Sequence, residues 1–519
     1  MSRWRRSLER EVDGRPTFPL RPGPVGNGEF VPLPAAAADA RAAQLILDRV
    51  EAASRRTGID RRRFLQSSAG VAASLAVFNA CSAEERAATS TTSGSTVPPP
   101  TTGGSFVVPT TVEDVVACEQ ALAAAPSEFV FDVHTHHVVP DGPWRRNALR
   151  IVDMIEGLVP DGCTDADPLT CLDRTAYLFD MFLASDTTMT LLSDVPNSGP
   201  DDAPLPWDEK RRTRELADSL TAPGASRVLV HDVIAPNFGD LAMRLDGMTA
   251  TASTGEVAAF KVYTAWGPGR HGYALDDPAL GIPVVEHARS LGVTRICGHK
   301  GLPLLEFDPA FNGPRDLVAL SRLYPDMDFV VYHGAYERET TEGPYDPDAA
   351  RGIDTLVRAL DDHGVGPNEN VWTELGTTWR EVLRHPDEAA HAVGKLLKHV
   401  GVERVMWGTD GIWYGSPQPQ LMAFRAFEIS AEFQERYGYP ALTPEVKAKV
   451  LGLNAAALFG VDVDATRCAL DADGLAAARA EVDDLVGAGA ITTPWLARGP
   501  VTRRETLAWL SSLRAPWQP

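Results

Sequence analysis

From residue 128 onward the chain alternates short β-branched apolar runs with longer helical stretches, and this alternation limits the fold more than any other feature. The runs are FVFDVHTH (129–136), TTMTLLSDV (187–195), RVLVHDVI (227–234), VAAFKVYT (257–264), TRICGHK (294–300), DFVVYHG (328–334), VWTELG (371–376) and RVMWGTD (404–410). Each is nearly continuous in apolar residues, as suits parallel strands covered on both faces. Helix-like stretches at 170–185, 207–221, 239–250, 279–292, 314–324, 349–363, 386–400 and 416–436 separate or follow them. Parallel strands need such crossovers, so the pattern predicts an α/β fold, a (β/α)8 TIM-like barrel over 113–460. An open doubly wound sheet is the alternative, but no Gly-rich phosphate turn follows the first strand. Residues 461–519 read as a mostly helical extension without a recognisable motif.

The N-terminal part has a different composition. Arg61-Arg62-Arg63-Phe64-Leu65-Gln66 has the form of a twin-arginine export signal, and the uncharged run 67–83 suits its apolar region. That run is short and weak for a membrane span, which takes about 20 apolar residues. Residues 84–112 follow as a Thr/Ser/Pro-rich tract, expected to be a disordered tether, and Cys81 is a site for a lipid anchor. The expected units are therefore 1–60 of unassigned role, signal 61–83, linker 84–112, barrel and extension. Alternatively, Arg61–Arg63 close the helix-like stretch from Ala36 to Thr57 and the protein stays in the cytoplasm. The arginine pair lies some 60 residues in, a position that an over-long start would explain. Cys163 and Cys171 lie in one loop-like stretch and pair in an oxidising compartment or stay free. A formal net charge of −21 excludes a nucleic-acid partner, which would select for basic patches. The expected partner is a small-molecule substrate, and a homo-oligomer is left open.

Barrel enzymes carry their chemistry at the C-terminal ends of strands. Those ends here hold His134 and His136 on strand 1, Lys261 on strand 4, His299 on strand 5, His333 on strand 6 and Asp410 on strand 8. Residues i and i+2 of a strand share a face, so His134 and His136 can point together into the mouth. His-x-His alone is a weak signal, since 12 histidines supply about 0.3 such pairs by chance. Three strands placing His at the same end, with Asp on a fourth, point to a catalytic metal. Imidazole and carboxylate suit Zn²⁺ first, then Mn²⁺ or Fe²⁺, with a position left open for water.

FDVHTH, GHKG, VYHGA and WGTD together resemble the amidohydrolase superfamily over residues 128–460. KVLGLNAAALFGV (449–461) is similar to the closing helix of its amidohydrolase-related branch, which includes hydrolases and aminocarboxymuconate-semialdehyde-type decarboxylases. The resemblance implies that His134, His136, His299 and Asp410 hold a divalent metal. His333 would be a further ligand or an acid polarising the substrate. It also raises Lys261 as a carbamylated bridge between two metals, against a mononuclear site in which Lys261 binds a substrate carboxylate or packs at the rim.

The leading reading is a hydrolase in which Asp410 moves the proton of a metal-activated water attacking a C–N or C–O bond of an amide, lactone or ester. A carboxy-lyase acting on an unsaturated or aromatic acid is the second reading. A non-catalytic exported binding protein is the third, which retention of all five site residues argues against. Trp266, Arg270, Trp413 and Tyr414 lie in loops after strands and are expected to line the substrate pocket. Glu374 is expected to orient a ligand histidine, whereas Lys300 and His137 should face away.

Overall fold

The computed structural model describes residues 18–26, 32–92, 101–125, 127–147, 167–221, 226–304, 307–471, 474–488 and 501–502. Eight parallel strands follow one another around a barrel: β1 (Phe131–Thr135), β2 (Met189–Leu192), β3 (Val228–Ile234), β4 (Val257–Val262), β5 (Arg295–His299), β6 (Asp328–Tyr332), β7 (Val371–Glu374) and β8 (Val405–Met406). Each strand pairs in parallel with the next in sequence, as successive βαβ units require, with register shifts at Asp132–Thr135 between β1 and β2 and at Val230–His231 between β3 and β4. The ring is nearly closed between β8 and β1. There Val133 N–H donates to Trp407 O at 3.1 Å, and Gly411 N–H donates to His134 O at 3.2 Å.

A buried carboxylate reinforces this seam. Asp132 Oδ1 accepts the N–H groups of His134 and Thr409, each at 3.1 Å, and its Oδ2 accepts the Thr409 hydroxyl. Phe131, Val133, Leu191, Val330, Tyr332 and Met406 share an interior cluster with Ala455 and Leu458 of the helix Asn454–Phe459. The expected helix 416–436 is instead two helices, Gln418–Ala426 and Ala431–Tyr437, split by a short strand Phe427–Ile429. That strand pairs antiparallel with Gly104–Phe106, inside the stretch expected to be an unstructured tether. Helices Val463–Asp471 and Leu475–Gly487 bear out the C-terminal extension.

The segment with the form of an export signal is folded. Helices α1 (Ala37–Thr57), α2 (Arg61–Leu65) and α3 (Ser68–Thr92) form a layer over the barrel helices. Phe64, Leu65, Val71, Leu75 and Phe78 are buried in the same core as Trp379, Phe424 and Phe427. Asn79 fastens α3 to the short strand, donating to Phe106 O and accepting Phe106 N–H, both at 2.8 Å. Both ends of the expected linker are ordered, since α3 runs on to Thr92 and Asp387 accepts both Arg86 (2.5 Å) and Gly104 N–H (3.0 Å), and its middle, 93–100, lies outside the described residues. The physical reason is that a mildly apolar run of this length serves a buried helix as well as a signal. Among the described residues no helix is long and apolar enough to cross a membrane. Cys171 is disulfide-bonded, and Cys81, Cys118, Cys297 and Cys468 are free. Cys163, the expected partner of Cys171, lies outside the described residues.

A chain starting at residue 84 would lose Phe64, Leu65, Leu75 and Phe78 from the core. Each such burial contributes about 1.5–3 kcal/mol, which together approaches the whole stability of a typical domain. The truncated protein is expected to unfold at clearly lower urea than the full chain, followed by circular dichroism. Equal midpoints would contradict the packing of α2 and α3.

Candidate metal centre

The strand ends bring the expected residues into one buried cluster at the C-terminal mouth. His134 and His136 leave β1 and its end on the same side, with ring centroids 5.0 Å apart. His299 ends β5 and His333 follows β6, their rings 4.5 Å apart. Asp410 follows β8, with Oδ1 3.5 Å from His134 Nε2 and 3.4 Å from His136 Nε2. One ligand atom each of His134, His333 and Asp410 lie within 4.8 Å of one another, a group that could hold a divalent metal.

The hydrogen bonds decide where the ring protons sit. Carbonyl oxygens only accept, so His136 carries its proton on Nδ1, bonded to Ser193 O at 3.0 Å. His333 does the same toward Gly376 O at 2.7 Å, and His299 donates Nε2–H to Leu302 O at 3.0 Å. His134 Nδ1 faces Glu374 Oε1 at 3.2 Å. The remaining lone pairs, on Nε2 of His134, His136 and His333 and on Nδ1 of His299, turn inward. Those of His299 and His333 stand only 3.2 Å apart. Inward lone pairs beside a carboxylate are the donor set of a cation site, with the opposite ring nitrogen of each histidine fixed from behind.

Electrostatics keep those lone pairs available. Burial holds His134, His136 and His299 below the ordinary imidazole range and takes His333 down to about 4, so all four are neutral near pH 7. Burial opposes ionisation of Asp410, and the Thr377 hydroxyl, which donates to its Oδ2 at 2.7 Å, favours the ionised form. Lys261 brings a positive charge. Its Nζ lies 3.0 Å from His134 Nε2, over the rings of Tyr332 (4.4 Å) and Tyr263 (5.1 Å).

Glu374 ties three strands to the cluster. Beyond His134, its carboxylate accepts the backbone N–H of His333 at 2.6 Å and that of Gly376. Gly408 must be glycine here, because a β-carbon would run into that carboxylate. His333, Thr377 and Asp410 all have left-handed backbone, with φ of 61°, 57° and 62°. Such conformations cost on the order of 1–3 kcal/mol each for non-glycine residues and gather at functional sites. Thr377 donates to Asp410 Oδ2 at 2.7 Å and lies 3.2 Å from the Tyr414 hydroxyl.

Of the residues expected to meet substrate, Trp413 stacks on His136 at 5.6 Å and Tyr414 sits behind Thr377. Trp266 reaches the cluster through Phe307, whose ring is 5.1 Å from that of His299. Arg270 is exposed on the turn Pro268–Arg270. Lys300 faces away and is buried against Asp316 at 2.7 Å, and His137 turns to Thr213 at 2.8 Å. Sequence reasoning missed Asp132 and Thr377. Asp132 was findable, since it stands two residues before His134 on the same strand face, whereas nothing local marks Thr377.

A family model described as amidohydrolase matches residues 131–461. The chain belongs to the amidohydrolase family. No curated protein matches it in sequence. Among solved structures, this amidohydrolase is similar to 5-carboxyvanillate decarboxylase from Sphingomonas paucimobilis, with 16% identity and a TM-score of 0.40, covering 65% of this chain and 100% of that one. It is also similar to a dihydroxybenzoic acid decarboxylase from Polaromonas sp. JS666 with bound manganese, with 15% identity and a TM-score of 0.38, covering 64% and 97%. A third is an amidohydrolase from Mycobacterium avium subsp. paratuberculosis, with 13% identity and a TM-score of 0.35, covering 65% and 100%.

Glu374→Gln keeps the shape but weakens the acceptor behind His134. Metal affinity is expected to fall about 10–100-fold, the usual effect of losing such a partner, measured by competition with a chromophoric chelator. Unchanged affinity would contradict the role of Glu374.

Proposed function

We propose that the protein is a metal-dependent hydrolase that cleaves a C–N or C–O bond, in an amide, lactone or ester, of a small molecule. The observation that carries this reading is the inward convergence of four neutral imidazoles on an ionised Asp410. In this reading His134, His136, His299, His333 and Asp410 hold one divalent ion, Zn²⁺ or Mn²⁺. When bound, the ion supplies a Lewis acid and lowers the pKa of a water.

The chain's own residues would do the rest. Asp410 Oδ1 takes the proton of the attacking water and passes it to the departing nitrogen or oxygen as the C–N or C–O bond breaks. Thr377 holds the other oxygen of that carboxylate in place. Lys261, enclosed by Tyr263 and Tyr332, orients an oxygen of the substrate. With its Nζ 3.0 Å from His134 Nε2, Lys261 is read here as a substrate-binding cation at a single-metal site, not as a carbamylated bridge. The same lysine favours the second reading, loss of CO₂ from an unsaturated or aromatic acid, since a buried ammonium beside the metal ligands suits a carboxylate.

Export is supported by the order of arginine pair and apolar run, and by the disulfide at Cys171. Because α2 and α3 belong to the core, the exported enzyme would retain them. The stability of the chain starting at residue 84 measures how far cleavage is compatible with the fold.

The test is turnover by Zn²⁺- or Mn²⁺-loaded full chain against a panel of aryl esters, lactones, amides and aryl carboxylates. Hydrolysis is expected, reduced by about 10²-fold or more in Asp410→Asn. CO₂ release from carboxylates, with no ester, lactone or amide turned over, would overturn hydrolysis in favour of the second reading.

A further inference from the structure

The loops that follow β5 and β6, together with the helix Ile353–His363, surround an open cavity of about 390 Å³. Arg315, Arg351, Arg358, Glu337, Asp362 and Asn312 line it, and none of the histidines of the metal centre does. The loop after β5 serves both sites. Its Phe307 meets His299 edge-on at 5.1 Å, while its Pro303 and Pro309 line the cavity. Leu302 fastens this loop, accepting His299 Nε2–H at 3.0 Å and donating to Tyr336 O at 2.7 Å.

Three guanidinium groups line the cavity with donors to spare, since each carries five N–H groups. Arg315 uses Nη2 on Asp276 at 2.7 Å, and Arg358 uses Nη1 on the carbonyls of Pro347 (3.0 Å) and Ala349 (2.6 Å). Arg351 Nε stands 3.9 Å from Glu337, too far for a hydrogen bond. The side chains of Arg315 and Arg351 are 64% and 59% exposed, so a ligand can reach them. Carboxylates line the same cavity. Glu337 accepts the Asn312 amide N–H and keeps further lone pairs, and Asp362 is exposed. An anion with no proton of its own meets these carboxylates as well as the arginines. An oxyanion that keeps an O–H is matched on both sides: its charged oxygens accept from guanidinium, and its hydroxyl donates to a carboxylate.

We propose that this cavity is a binding site for hydrogen phosphate, with Arg351 and Arg358 taking its charged oxygens and Glu337 accepting its P–O–H. Guanidinium pairs with phosphate through parallel N–H bonds, which supply the affinity. Glu337 supplies the selectivity. Hydrogen phosphate keeps at least one O–H at neutral pH, whereas sulfate, of the same tetrahedral shape, has none and meets only repulsion from this carboxylate. Bound there, the anion links Glu337, on the loop after β6, to Arg358 on the helix Ile353–His363. The site stands apart from the reaction centre and does not depend on a metal.

The test is calorimetric titration of full-length, metal-stripped protein at pH 7 and fixed ionic strength, with inorganic phosphate and with sulfate. Phosphate is expected to bind about fivefold or more tightly than sulfate, because only phosphate satisfies the carboxylate. Arg351→Gln, at an exposed position, should weaken phosphate about tenfold with the melting temperature near wild type. Glu337→Gln removes the repulsion and should bring sulfate to within about twofold of phosphate. His134→Ala should leave phosphate binding unchanged. No phosphate binding, sulfate bound as tightly as phosphate by the wild type, or no effect of Arg351→Gln would overturn the site. Binding lost in His134→Ala but kept in Arg351→Gln would place the anion at the histidine cluster and overturn it equally. Failure of the metal reading appears separately, as absence of bound metal in the protein before stripping.

Discussion

The carboxylate of Glu374 is the constraint on which the site depends. It is fully buried, has no Lys or Arg ion pair among the described residues, and is held by His134 and two backbone N–H groups. Through it, the end of β7 fixes the ring of β1's first histidine and the strained backbone at His333 that follows β6. Burial pushes its pKa up, so the site carries a costly ionisable group that would weaken the fold if left uncompensated. A cation among the inward lone pairs would lie across the His134 ring from this carboxylate and offset that cost.

The second constraint is the seam. β8 is only two residues long as a strand, and the chain then leaves the sheet through Gly408, Thr409 and Asp410. Asp132 holds this departure against β1 through Thr409, which brings Asp410 opposite His134 and His136. The closure of the barrel and the geometry of the proposed base are thus one feature. The layer formed by α1, α2 and α3 sits on helices that follow β7 and β8, so the N-terminal segment buttresses the same side of the barrel.

Much of this was legible in the chain itself. Eight apolar runs placed eight strands, because strand burial on both faces writes itself into local composition. The strand-end histidines and Asp410 were found from their common position, and the alternation of side chains set Lys300 and His137 aside correctly. The N-terminal helices were harder, because an apolar run of their length has two physical uses and only tertiary contacts such as Asn79 with Phe106 distinguish them. Thr377 carries no local signal at all. It matters through the Asp410 oxygen that lies opposite it, and that is a property of the folded chain.

Metal content per chain, measured on full-length protein beside His134→Ala and His333→Ala, tests the account most directly. Near one equivalent of Zn²⁺ or Mn²⁺ in the wild type, lost in both variants, is the predicted result. No tightly held metal in the wild type, or metal retained in both variants, would contradict the reading of the inward lone pairs, and two equivalents would contradict a single-ion site.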